Sequence, residues 1–410
     1  MHARTRALVV TSVALFLSIL VWFNYSAVLP LIVDEWGLTG TRAGIIFGVF
    51  QAGYLLAILP AGWLSDRYSP RWVISVGAAG TGLFSLGFAL FATGFLSGTA
   101  FRFLSGLFIA GVYVPGMRFV SDWYPADVRG RAMGIYVGTF SLSSGLSFVA
   151  ATVVADAIDW RTAVAATSVG ALAVPPLMLG LAEDRSGRSA RSIGGFDRSL
   201  LSNRAYLASV SIYSWHNWEL FGVRNWLLAF LLATPAFAAV DSAGAFGVGA
   251  ATLAGVLVGA VTAMSGVGNL AGGELSDRIG RSRTIGLGLG GSAVCSALLG
   301  VLGWLPLPAL VALLLVYGTL LSVDSAPTST LVTEVVDDSQ VGTALSIQSF
   351  VGFSTTVVSP VVFGLALDVG GYALAWPTLA AGALAGLASV AVLERTLSRQ
   401  RPSRTDPISR

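Results

Sequence analysis

The sequence predicts an all-α integral membrane protein, with twelve transmembrane helices in two six-helix halves related by pseudo-symmetry. Three observations predict it. The 410 residues are 55% hydrophobic and 11% charged, against roughly 25% charge in a soluble domain, and the mean hydropathy is +0.77. That leaves too little polar surface to cover a water-soluble particle of this size. Apolar runs of about 20 residues, the length that crosses a bilayer, recur twelve times between charged or turn-rich breaks. The chain also repeats itself. "GWLSDRYSPR" from Gly62 returns as "GELSDRIGRS" from Gly273, 211 residues later, and "PGMRFVSDWYPADVRGRAMG" from Pro115 aligns with "PTSTLVTEVVDDSQVGTALS" from Pro327, 212 residues later. Two parallel repeats imply a pseudo-two-fold axis along the membrane normal.

In chain order, the first half (1–182) holds spans at 8–33, 43–63, 72–93, 96–121, 131–154 and 160–182. The first run follows Arg4 and Arg6. It is too long for a signal-peptide core and lacks a small-residue cleavage pattern, so it reads as a retained span. A charged linker at 183–204, "EDRSGRSARSIGGFDRSLLSNR", separates the halves. The second half (205–394) holds spans at 205–232, 250–272, 283–304, 306–332, 341–366 and 371–394, followed by a tail at 395–410. All 24 basic residues are arginines. With the N-terminus inside, inner segments hold 19 of them and outer loops only Arg42 and Arg161. Arginine-rich loops stay cytoplasmic, which puts both termini inside a multi-pass cytoplasmic-membrane protein.

Composition also excludes classes. The basic residues fall in short loops rather than on one soluble face, so nucleic acid is not an expected partner. The single Cys295 and the two histidines leave no metal site and no intrachain disulfide. No cofactor motif, nucleophile–base set or phosphate-binding loop is present, and an enzyme is not expected. A receptor would need a soluble signalling domain, which is not visible.

Few polar side chains fall inside spans, so each is a candidate. His216 and Glu219, near the middle of span seven, are three residues apart and are expected to share a helix face. An ionised group at that depth costs a few kcal/mol on insertion scales and is tolerated facing protein or a water-filled cavity. Histidine titrates near neutrality, so the two are the expected proton-coupling pair, with Asp324, in the inner third of span ten, as a third candidate. Arg224 lies further out, as a gate charge or a snorkelling anchor. With Asn24, Tyr25, Gln51, Tyr54, Tyr113 and Trp215, it completes a set suited to a small polar ligand. Arg102, inside span four, is either an anion anchor or the partner of a buried carboxylate. Arg118 and Asp122, one turn apart, read as an ion pair at the inner end of that span. Gly62 and Gly273 are expected to let the chain turn where helices emerge. Asp66 and Asp277 are placed to accept from free N–H groups at a neighbouring helix start. Arg67, Arg71, Arg278 and Arg281 are placed to pair carboxylates or lipid phosphates.

Nearly the whole chain resembles the major facilitator superfamily. The pattern G-x-L-S-D-R-x-x-x-R is met by Gly62, Leu64, Ser65, Asp66, Arg67 and Arg71, and its first part recurs from Gly273 to Arg278. "FRFLSGLFIAG", with Arg102 and Gly106, resembles the family's R-x-x-x-G element, and "DWRTA", with Trp160 and Arg161, its usual opening of span six. "WYPADVRGRAMG" resembles the loop after span four in organic-anion and nitrate-type members. The chain departs from efflux antiporters, which carry a G-P-x-x-G-G-like element in span five, and from nitrate carriers, which place an arginine in spans two and eight. The resemblance implies a central cavity lined by spans one, four, seven and ten. It also implies that the Asp66 loop locks the halves while the outer side is open. The implied function is a secondary transporter coupling a small solute, an organic anion, to protons by alternating access. Proton-antiport efflux of drugs or metabolites is the alternative. The expected partners are the solute, protons and the bilayer, and a monomer is expected.

Overall fold

A computed structural model describes residues 3–185, 198–243, 249–337 and 340–400. Linker residues 186–197, with Arg188 and Arg191, and tail residues 401–410, with Arg401, Arg404 and Arg410, lie outside the described residues. The described secondary structure is helical. Among the described residues, ten helices are long and apolar enough to cross a membrane. The last, Val341–Gln400, breaks at Gly370 and Gly371, the latter with φ 65°, which leaves two segments of spanning length. Arg204–Leu232 equals the others in length but is more polar.

Three spans are interrupted, each at proline. Span one runs Ala3–Ala27 and resumes as Leu29–Trp36 beside Pro30. Span six is Trp160–Leu172 followed by Val174–Leu181, where Pro175 and Pro176 open the second piece. Span ten is Leu307–Leu320 and then Ser325–Val335. In a continuous helix the Pro327 ring would clash with the carbonyl four residues back, at Val323, and the first piece ends before it. A further helix, Pro235–Ala243, follows span seven.

The turn expected at Gly62 and Gly273 falls elsewhere. Both lie inside long helices, Gly40–Arg67 and Ala250–Ile279. The chain turns instead at Tyr68–Ser69, before Pro70, and at Gly280 (φ 94°).

Spans two and eleven run antiparallel across the boundary between halves, as do spans five and eight. Toward the arginine-poor end they touch. A Cβ on Gly44 would sit 2.3 Å from the Pro360 carbonyl oxygen, and one on Gly48 2.5 Å from that of Val357. Gly145 meets Gly259 in the same way, at 3.2 Å. Only the missing side chains let these backbones approach so closely. In the same register toward the arginine-rich end, Gly62 and Gly342, and Gly138 and Gly266, have nothing within 4 Å of that position. The halves therefore meet at one end and splay at the other.

A central cavity between two halves

A cavity of about 530 Å³ lies where the halves diverge. Trp22, Tyr54, Tyr113 and Phe140 line it from the first half, and Asn269, Ser325, Ser329, Thr330 and Phe353 from the second. Span seven supplies a continuous stripe: Tyr213, His216, Asn217, Leu220, Phe221 and Arg224. These positions recur every three or four residues, the spacing of one helix face.

Glu219 is not on that stripe. At about 100° per residue it lies some 60° beyond the stripe's His216 edge. Its carboxylate turns into the second half, accepting from Ser292 Oγ at 2.7 Å, Ser296 Oγ at 2.6 Å and Tyr317 OH at 3.3 Å. The expected His216–Glu219 pair is therefore two separate arrangements. His216 Nδ1 lies 3.0 Å from Asp324 Oδ1, and Ser325 Oγ is 3.2 Å from Nε2. His216 and Asp324 are 6% and 1% exposed, so the pair is shielded although His216 borders the cavity. Asp324, expected toward the inner third of its span, ends the break at 321–324, in the cap position of the Ser325–Val335 helix and beside His216.

Of the roles open to Arg224, its position fits a cavity-facing charge and not a snorkelling anchor: its guanidinium lies 5.5 Å from the Phe23 ring and 5.6 Å from that of Phe221. It is the one arginine lining the cavity among the described residues, and no carboxylate joins the lining. Just beyond it, Ser26 Oγ donates to Asn225 Oδ1 at 3.0 Å. This buried link between spans one and seven joins the halves.

Arg102 is placed away from the cavity. It is 1% exposed. Its guanidinium donates to the Val21 and Trp22 carbonyls at 3.1 and 3.2 Å and to Asn24 Oδ1 at 3.4 Å, 4.2 Å from the centre of the Phe50 ring. Asn24 Nδ2 in turn donates to Thr167 Oγ1 at 3.1 Å and Ser85 Oγ at 3.3 Å. The Tyr25 hydroxyl donates to the Ala43 carbonyl at 3.0 Å. Arg102, Asn24 and Tyr25 thus form a packed polar core within the first half. Gln51 is buried with them and does not line the cavity. The Gly106 of the R-x-x-x-G element has a packing role, since a Cβ there would lie 2.1 Å from the Phe50 carbonyl oxygen. Of the expected ligand set, Tyr54, Tyr113 and Arg224 line the cavity. Trp215 packs against Trp218, ring centres 5.9 Å apart, on the side facing the last span.

At the arginine-rich end, Asp66 accepts from Arg118 at 2.8 Å, and Arg118 reaches Asp122 at 3.1 Å. All three belong to the first half, so among the described residues Asp66 makes no lock to the second half. Asp277 pairs with Arg281 at 2.5 Å, and Arg281 also reaches Glu334 at 3.1 Å. Arg71 pairs with Asp184 at 3.1 Å, Arg278 with Glu274, and Arg67 stacks over Trp63.

A helical membrane protein of two splayed halves, with a mixed polar and aromatic cavity between them, is the architecture of a membrane transporter. The Major Facilitator Superfamily model matches residues 11–246 and 234–409, and the chain belongs to that family. It is 28% identical to the probable sulfoacetate transporter SauU of Cupriavidus necator, over 90% of this chain and 88% of that one. It is 30% identical to a D-galactonate transporter of Escherichia coli, over 34% of this chain and only 33% of the relative. The fold is similar to that of a bacterial homologue of the human lysosomal transporter Spinster in an inward-facing and occupied conformation. The TM-score is 0.80 at 15% identity, covering 99% of this chain and 100% of that one. As a family member the chain is a transporter and not an enzyme.

Proposed function

We propose that the protein moves a small organic anion across the cytoplasmic membrane by alternating access coupled to protons, with both termini in the cytoplasm. The observation that carries the reading is the charge of the cavity wall. Arg224 faces the cavity without a carboxylate among the described lining residues, so an anionic solute is the natural counter-ion. In an aromatic-walled site that closes around the solute during the cycle, such a pairing is strong. Asn217, Asn269, Tyr54 and Tyr113 supply directional hydrogen bonds to the rest of a hydroxylated or sulfonated chain. A sulfoacetate and a D-galactonate transporter among the relatives support the same class.

The arginine bias makes the splayed end cytoplasmic, so the described state opens inward. His216 and Asp324 are the proton-coupling pair in this reading, because a histidine and a carboxylate meet at the cavity edge. Glu219 ties spans seven, nine and ten behind them. Solute uptake into vesicles tests the proposal. Wild-type protein should accumulate a small carboxylate or sulfonate when the outside is acidic, and Arg224→Gln should not. Outward flux under the same gradient would favour antiport efflux instead.

A further inference from the structure

The arginine-poor end of the interface carries two carboxylates for which the cavity has no use. Asp368, at the end of span eleven, accepts from the first residues of span two: Gly40 N at 2.5 Å, Thr41 N at 2.8 Å and Thr41 Oγ1 at 2.6 Å. Asp156, at the end of span five, accepts from the first turn of span eight: Thr252 N at 2.8 Å and Thr252 Oγ1 at 2.5 Å. Each aspartate belongs to one half and each helix start to the other. Asp156 and Asp368 are 212 residues apart, and Thr41 and Thr252 are 211 apart, the offsets of the internal repeat. One contact is therefore the symmetry mate of the other.

The physical demand for the contacts is plain. The first N–H groups of a helix have no partner within it, and the helix start carries partial positive charge. The cap position of span eight is Gly249, which supplies no side-chain acceptor. At span two, the Thr39 side chain accepts from Arg42 N, which leaves the Gly40 and Thr41 N–H groups to Asp368 of the other half. Separation of the halves at this end would strip both helix starts of their acceptors at once.

We propose that Asp156 and Asp368 form a two-fold symmetric outer latch that holds the transporter in its inward-open state. Opening to the outside requires both carboxylates to leave the helix starts of the opposite half. The latch rests on the transporter reading above, but its test needs no transport.

The test uses detergent-solubilised full-length protein with Cys295 replaced by alanine and Val361→Cys as the reporter. Val361 lies in the seam against Gly44 and Gly48. Val361 is half-buried in the closed seam, so its labelling rate with a bulky maleimide starts from a closed-state baseline, and the rise above it follows the open population. Asp156→Ala and Asp368→Ala should each raise that rate about fivefold, and the double variant about thirtyfold, the factors expected for losing contacts of this kind. In parallel, a reporter at Ser329→Cys, on the cavity wall at the splayed end, should label no faster. A double variant whose Val361→Cys rate rises less than about twofold overturns the latch. So does a rate that rises equally at Ser329→Cys, because that is general loosening. If the alanine variants yield no folded protein, Asp156→Asn with Asp368→Asn decides. That pair keeps an acceptor and loses the charge; a several-fold rise is expected, and no rise overturns the proposal.

Discussion

The two halves share an ancestral pattern but divide the polar residues differently. In the first half, Arg102, Asn24, Tyr25, Ser85 and Thr167 form a closed core whose hydrogen bonds end on carbonyls, hydroxyls and an amide. In the second, His216, Asp324, Glu219 and Arg224 bring both signs of charge to the cavity or directly behind it. A buried network without acids has little means of exchanging protons, whereas a histidine against a carboxylate has one. The difference teaches that symmetry of backbone need not be symmetry of chemistry. The first half contributes an uncharged aromatic wall of Trp22, Tyr54, Tyr113 and Phe140 to the cavity, and the second contributes its charged groups.

Arg224→Ala should break that comparison most visibly. Losing charge-assisted hydrogen bonds to the solute should lower uptake of an anionic solute on the order of a hundredfold, with folded yield unchanged. Arg224→Lys should restore only part, because lysine lacks the planar fork. Radiolabelled uptake normalised to protein amount checks both, and equal loss for neutral solutes would remove Arg224 from the binding role.

Arg102→Ala should act on stability instead. It removes a buried cation that three hydrogen bonds hold in the core, at a cost of about 3 kcal/mol. The thermal midpoint and the yield should fall, while the solute affinity of the surviving protein stays near wild type. An intact midpoint with lost affinity would place Arg102 with the cavity after all.

Glu219→Gln should be milder, because an amide keeps oxygen for Ser296 and Tyr317 and disturbs only the Ser292 arrangement. A few-fold loss in transport rate is expected, with proton coupling retained. A pH-gradient dependence that vanishes in Glu219→Gln would move the coupling site behind the cavity. The smallest effect is expected of Asp66→Asn, which breaks the 2.8 Å pair with Arg118 inside one half. Turnover should slow, with affinity unchanged, if the loop engages the other half only when the outer side opens.

Much of the fold was legible because it rests on coarse features. Apolar run length, arginine distribution and a repeat of about 211 residues each survive errors of a few positions. The site was legible only in part, and each miss has a physical cause. Spacing alone pairs Glu219 with His216, but the Glu219 carboxylate turns from the cavity toward Ser292 and Ser296. The His216–Asp324 contact depends on how the broken span ten packs against span seven, which spacing does not show. Arg102 carries the same cost of burial whether it binds a ligand or a carbonyl cage, and the sequence does not distinguish the two. Asp156 and Asp368 did leave a signal, aspartates at matching ends of spans five and eleven, in the repeat already found.

The central claim is that protons are handled at His216 and Asp324 while solute is held at Arg224. The direct measurement is pH-gradient-driven uptake beside solute counterflow, in the same vesicles, for Asp324→Asn. The account predicts that gradient-driven accumulation disappears while counterflow, which needs no net proton movement, continues at near the wild-type rate. Equal loss of both, or loss of neither, would contradict it.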